Sequence, residues 1–126
     1  MKLQSLYTFG YSGKQPDELL ALVEQLDAVV ADIRFSPRSR IPQWNGGRLA
    51  QLLGDRYHHL PALGNRNYKD GPVEIVDLEA GLPQVADLLV HQPVILLCVC
   101  ADIQHCHRRL AAEAIVARYG ASLTHL

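Results

Sequence analysis

Val94-Ile-Leu-Leu-Cys98-Val99 is an unbroken apolar run with no polar residue at alternate positions. A strand with one wet face alternates apolar and polar side chains, so such a run reads as a strand covered on both sides, as in parallel α/β sheets. A second run of buried-strand length lies within Asp27-Ala-Val-Val-Ala-Asp-Ile-Arg34, and its polar ending puts Asp32 and Arg34 near the strand's carboxyl edge.

Helical signals separate the strand signals. Pro16, Asp17 and Glu18 form a helix start, and Leu19, Leu20, Leu22, Val23 and Leu26 form its apolar stripe, which predicts a helix over 16–26. Leu6 to Phe9 reads as a first strand closed by the turn residues Gly10 to Gly13. Asn45 is a candidate cap for a helix over 48–53, Tyr57 to Leu60 a short strand, and 61–72 irregular chain. The stretch 73–79 is ambiguous, and 65–80 is long enough for a lid. Pro83 is expected to open a helix running to about Val90, because proline inside a longer helix costs roughly 3 kcal/mol relative to alanine. A last helix is expected from His105 to Tyr119, stopped by Gly120, with a final strand in 121–126. The alternation predicts one α/β domain over 1–126, with a mostly parallel sheet and helices on both faces. Ligands of such folds bind at the carboxyl ends of the strands, where the loops 10–14, 34–44 and 98–109 should converge.

The chain's 126 residues suit one compact core, and a net charge of −1 argues against a protein that coats nucleic acid electrostatically. No run of about 18 apolar residues is present, and the N-terminus lacks a signal-peptide core, so a cytoplasmic protein with no membrane partner is expected. In a reducing compartment its three cysteines read as catalytic or metal-binding thiols before they read as disulfides.

Arg34, Arg38 and Arg40 fall within seven residues, interleaved with Ser36 and Ser39. Planar guanidinium forks and hydroxyls suit a phosphate or carboxylate; the competing reading is a solvated loop with Arg34 bridged to Asp32. Asp32 is read as supporting Arg34 or acting as a base. Tyr11 and Ser12 follow the first strand and join the candidate anion site, the Tyr11 ring capping the core. Trp44 reads as packing before base stacking. Cys98 ends a strand, where a thiol is either nucleophile or inert hydrophobe. Cys106, at a helix start beside His107 and Arg108, is where a thiolate is stabilised. Cys98, Cys100, Cys106 and His107 also admit a soft-metal reading, but their spacing departs from structural zinc and iron–sulfur patterns, so no metal ligand is assigned.

The segments Thr8-Phe-Gly-Tyr-Ser12, Asp32-Ile-Arg34-Phe-Ser-Pro37-Arg-Ser39, Tyr57-His-His59-Leu-Pro61-Ala-Leu-Gly64, and Leu97-Cys98 followed by Cys106-His107-Arg108 together resemble the bacterial and archaeal family of domain of unknown function 488 (DUF488). The resemblance implies a compact α/β domain with a polar pocket gathered from these motifs, and a link to nucleotide or nucleic-acid modification. The family pattern often carries an acid two residues after the first cysteine, where this chain has Cys100. A second likeness is to rhodanese-type sulfurtransferases, whose Asp-x-Arg strand end and cysteine loop are echoed by Asp32-Ile33-Arg34 and 98–108. The nine residues between Cys98 and Arg108 exceed the spacing of that loop.

The expected function is therefore a small enzyme acting on an anionic nucleotide or nucleic-acid substrate. Tyr11, Ser12, Arg34, Arg38 and Arg108 would bind the anion, and Cys98, Cys106 and His107 would do the chemistry. Rhodanese-like sulfur or phosphate transfer, a non-catalytic anion-binding module and a cysteine-based metal or redox sensor are the alternatives. No cofactor and no oligomeric state is implied by these residues.

Overall fold

The computed structural model describes residues 3–67, 72–99 and 106–126. Among them, strands β1 (Leu6–Gly10), β2 (Val29–Asp32), β3 (Tyr57–His59), β4 (Val94–Cys98) and β5 (Leu123–His125) form one sheet in the order β3-β2-β4-β1-β5. Every neighbouring pair is parallel. Helices α1 (Pro16–Leu26), α2 (Gly46–Leu53), α3 (Leu78–Leu89) and α4 (His107–Tyr119) lie between the strands in sequence.

Parity along the strands divides the core in two. Val94, Leu96 and Cys98 of β4 pack with Leu6, Val29 and Ala31 under α3 and α4, meeting Leu82, Val85, Leu89, Ala111 and Ile115. Ile95 and Leu97 point the other way, with Phe9 and Val30, onto Leu19 and Val23 of α1 and Leu49 and Leu53 of α2. This is why β4, buried at all five positions, reads as a continuous apolar run: it has no solvent face to place a polar residue on. The helices cover both faces, as the sequence predicts.

Crossovers β1→β2 and β2→β3 step one way along the sheet and carry α1 and α2 on one face. Crossovers β3→β4 and β4→β5 step back and carry α3 and α4 on the other, so reversal of direction and of face together preserve one crossover hand. The helices that follow β1 and β2 thus lie on the opposite face from α4, which follows β4 between them. A crevice opens at that divergence.

Three local expectations need correction. Pro83 does not open α3; the helix begins at Leu78, and Asp77 caps it by accepting the Ala80 N–H at 3.1 Å. Burial of Gly81, Leu82, Val85 and Leu89 across that span outweighs the backbone bond that Pro83 removes from the Glu79 carbonyl. The ambiguous stretch thus ends in the first turn of α3, while Asn65 and Ile75 form an antiparallel bridge across the segment considered as a lid; residues 68–71 lie outside the described residues. Asn45 occupies the N-cap position of a longer α2, but its side chain serves the preceding loop, accepting the Ser39 N–H at 2.6 Å. Last, α4 starts at His107 with Cys106 as N-cap, and His105 and Cys100 fall outside the described residues. Among the described residues, no helix is long and apolar enough to cross a membrane.

Candidate functional site

The parallel ladder continues past the strand ends and joins the loops. Tyr11 N–H donates to the Cys98 carbonyl and Ser12 N–H to the Val99 carbonyl, both at 3.0 Å, and Ile33 N–H donates to the Leu97 carbonyl at 3.1 Å. These bonds bring the described residues of the three predicted loops around a cavity of about 360 Å³, lined among others by Tyr11, Ser12, Arg38, Arg40, Asn65 and His107.

Arg34 borders this cavity, yet its guanidinium is engaged within the protein. Nε and Nη2 donate to the two oxygens of Asp32 at 2.8 and 2.6 Å, and Nη1 donates to the Trp44 carbonyl at 2.7 Å. Burial opposes the charge of Arg34, but the Asp32 carboxylate prevails and raises its pKa. Asp32, fully buried, also accepts the Arg34 backbone N–H at 3.2 Å and the Tyr57 hydroxyl at 2.6 Å. Four donors occupy its two oxygens, which suits a fixed strut better than a proton acceptor. Tyr57 is correspondingly held neutral: burial, then the Asp32 hydrogen bond, raises its pKa.

Trp44 is wholly buried and donates from Nε1 to the Lys14 carbonyl at 3.2 Å. The Tyr11 ring stacks on it with centroids 4.7 Å apart and planes at 20°, so an aromatic pair on a salt-bridged base forms one wall of the cavity. His59 Nε2 holds the Arg34 carbonyl at 2.9 Å. Gly64 lies so close beneath the same loop that a β-carbon there would sit 2.6 Å from Phe35 N and Cα.

The thiols lie on the far side. Cys98 Sγ and Cys106 Sγ are 2.6 Å apart and both cysteines are buried. Cys106 Sγ lies 4.0 Å from His107 Nδ1, while His107 Nε2 faces the Ile33 carbonyl at 3.0 Å. A carbonyl only accepts, so the neutral ring carries its proton on Nε2 and turns the Nδ1 lone pair toward the sulfur. Arg108, 2% exposed, donates from Nη1 to Cys98 Sγ at 3.4 Å. Burial works against the Arg108 charge, but the sulfurs of Cys98 and then Cys106 raise its pKa on balance.

A family model described as Domain of unknown function DUF488 matches residues 17–71 and 65–115. The chain belongs to the DUF488 family. No curated protein and no solved structure gives a significant match to it. Each DUF488 motif quoted above has a place in the site. The first supplies Tyr11 and Ser12, the second the Asp32–Arg34 strut and the arginine loop, the third Tyr57, His59 and Gly64 as supports, and the last the thiols with His107 and Arg108.

Of the residues singled out in the sequence, Tyr11, Ser12, Arg34, Arg38 and His107 line the cavity of this DUF488 chain. Cys98, Cys106 and Arg108 gather behind His107, and Asp32 lies beneath Arg34. Sequence reasoning missed Tyr57 as a donor to Asp32, and it missed the apolar rim of Phe35, Ile41 and Val99. The signal for Tyr57 was available in the pairing of β3 beside β2, but only once strand order is known.

Proposed function

We propose that the protein is a small enzyme that binds an anionic, nucleotide-like group, free or within a nucleic-acid strand, and acts on it with Cys106 as nucleophile. The observation that carries this reading is the unbalanced charge of the cavity. Among the described residues, its lining contains Arg38 and Arg40, both exposed and with no carboxylate in salt-bridge range, and no acidic side chain. Arginine forks pair with phosphate oxygens, and the Ser12, Ser36 and Ser39 hydroxyls add neutral donors.

The rim supplies the other half of the ligand's description. Phe35, Ile41 and Val99 are 42%, 44% and 47% exposed, three of the six most exposed large apolar side chains among the described residues. Apolar groups around a cationic pocket match a ligand with a flat apolar part and an anionic part, as a nucleotide has. Cys106 as nucleophile is supported by its position at the helix start, where a thiolate is stabilised, and by His107 Nδ1 as a proton acceptor 4.0 Å from its sulfur.

The test is a binding and turnover screen with nucleoside mono-, di- and triphosphates, short oligonucleotides and inorganic phosphate, read by thermal shift and product chromatography. Binding with turnover in the wild type, retained binding with lost turnover in Cys106→Ser, and weakened binding in Arg38→Ala is the expected pattern. Binding in all variants with unchanged turnover in Cys106→Ser overturns the covalent role. Absence of binding by every phosphate compound overturns the reading itself.

A further inference from the structure

Cys98 and Cys106 are separated by eight positions in sequence, yet their sulfurs approach to 2.6 Å at the junction of β4 and α4. We infer that these two thiols form a reversible two-electron redox couple, oxidised by a peroxide to a disulfide and restored by a dithiol reductant. The couple shares the site of the proposed function and deepens that reading, but it needs no ligand in the cavity.

Two features favour a dithiol over a metal site for this cluster. Cys98, Cys106 and His107 place their ligand atoms within 4.8 Å of one another, the size of a metal shell. Two thiolates on one tetrahedral zinc, with bonds of about 2.3 Å, stand about 3.8 Å apart, whereas these sulfurs, at 2.6 Å, are closer to the roughly 2.05 Å of a disulfide bond than to that separation. The Arg108 guanidinium, 3.4 Å from Cys98 Sγ, repels a metal cation and favours a thiolate.

The two cysteines divide the chemistry by position. Cys106 caps α4, where helix N–H groups stabilise a thiolate, and His107 Nδ1 takes its proton. The Cys106 thiolate attacks the peroxide: a sulfur–oxygen bond forms, the oxygen–oxygen bond breaks, and hydroxide leaves as water with the proton held by His107. Cys98, as thiolate beside Arg108, attacks the sulfenic sulfur; the sulfur–sulfur bond forms, the sulfur–oxygen bond breaks, and hydroxide leaves as water with the Cys98 proton. Two thiols and hydrogen peroxide thereby become one disulfide and two waters.

The experiment treats the reduced full-length protein with stoichiometric hydrogen peroxide, alkylates it, and maps peptides by mass spectrometry without reduction, in the wild type and in Cys100→Ser. The expected result is a Cys98–Cys106 cross-linked peptide in both proteins, lost on dithiothreitol treatment, with Cys106 trapped as sulfenic acid by dimedone in Cys98→Ser. Mapping on the wild type stands even if a variant fails to fold. A cross-link that uses Cys100 instead, oxidation that stops on single cysteines in the wild type, or stoichiometric zinc that protects both thiols until chelated overturns the couple. No phosphate ligand enters this experiment, so failure here leaves the anion reading standing, and failure of the ligand screen leaves the couple standing.

Discussion

The Asp32 carboxylate and the Arg34 guanidinium, two positions apart in sequence, face each other in two parallel hydrogen bonds with both side chains almost wholly buried. The pair fixes the direction in which the chain leaves β2, because the third guanidinium nitrogen that bonds outward reaches the Trp44 carbonyl at the far end of the arginine loop. Removing one partner of such a pair strands the other charge in a dry site. Asp32→Asn is therefore expected to lower unfolding free energy by about 3–5 kcal/mol, with the double variant Asp32→Leu/Arg34→Met recovering most of the loss. Chemical denaturation of the three proteins checks this, and equal losses in the single and double variants would refute it.

Tyr57 predicts the behaviour of the same strut at alkaline pH. Burial, then Asp32, raises its pKa, so the folded protein keeps this proton where the unfolded chain has begun to release it. The stabilisation is complete below about pH 10 and declines as pH rises beyond the ordinary tyrosine value. Between about pH 9 and about pH 11, the urea midpoint of the wild type should fall more steeply than that of Tyr57→Phe. At neutral pH the variant should be less stable by about 1.5–3 kcal/mol, the size of a hydrogen bond to a charged group.

The cavity arginines make a different prediction from the buried one. Arg38→Ala and Arg40→Ala remove exposed side chains without carboxylate partners among the described residues, so stability should change by no more than about 0.5 kcal/mol. Each should nevertheless weaken binding of an anionic ligand about tenfold or more, with the wild-type affinity falling as salt increases. The chain's single tryptophan stacks on Tyr11 at the cavity wall, so Trp44 fluorescence is the readout for the titration.

Gly64→Ala probes the support beneath the loop. The new β-carbon would meet Phe35 backbone atoms at 2.6 Å, and backbone cannot swing aside as a side chain can. A loss of about 1–3 kcal/mol is expected, together with weaker ligand binding, because Phe35 lies on the cavity rim. Unchanged binding with unchanged stability would mean that the loop is not seated on Gly64.

Pro83 offers a change in the opposite direction. Its ring is exposed in the interior of α3, where alanine would return an N–H to the Glu79 carbonyl without disturbing the core. Pro83→Ala is expected to raise stability by between about 1 and 3 kcal/mol, the helix gain being offset in part by the freer unfolded chain. Thermal unfolding by circular dichroism decides it.

The sequence by itself determined what depends on neighbours along the chain. The continuous apolar run at Val94 and its counterpart before Asp32 required strands covered on both faces, α1 followed from its stripe and acidic start, and the motifs after β1, β2 and β4 marked the edge where the site lies. Tertiary structure decided everything set by distant contacts. Arg34 turned inward because Asp32 and the Trp44 carbonyl meet it there, and Pro83 was tolerated because α3 buries a stripe running through it. The sulfurs of Cys98 and Cys106 met because β4 delivers one and the cap of α4 the other. Periodicity and capping act over a few residues and are written in the chain. Burial, counter-charge and thiol pairing depend on which strands become neighbours, and only the packed sheet fixes that.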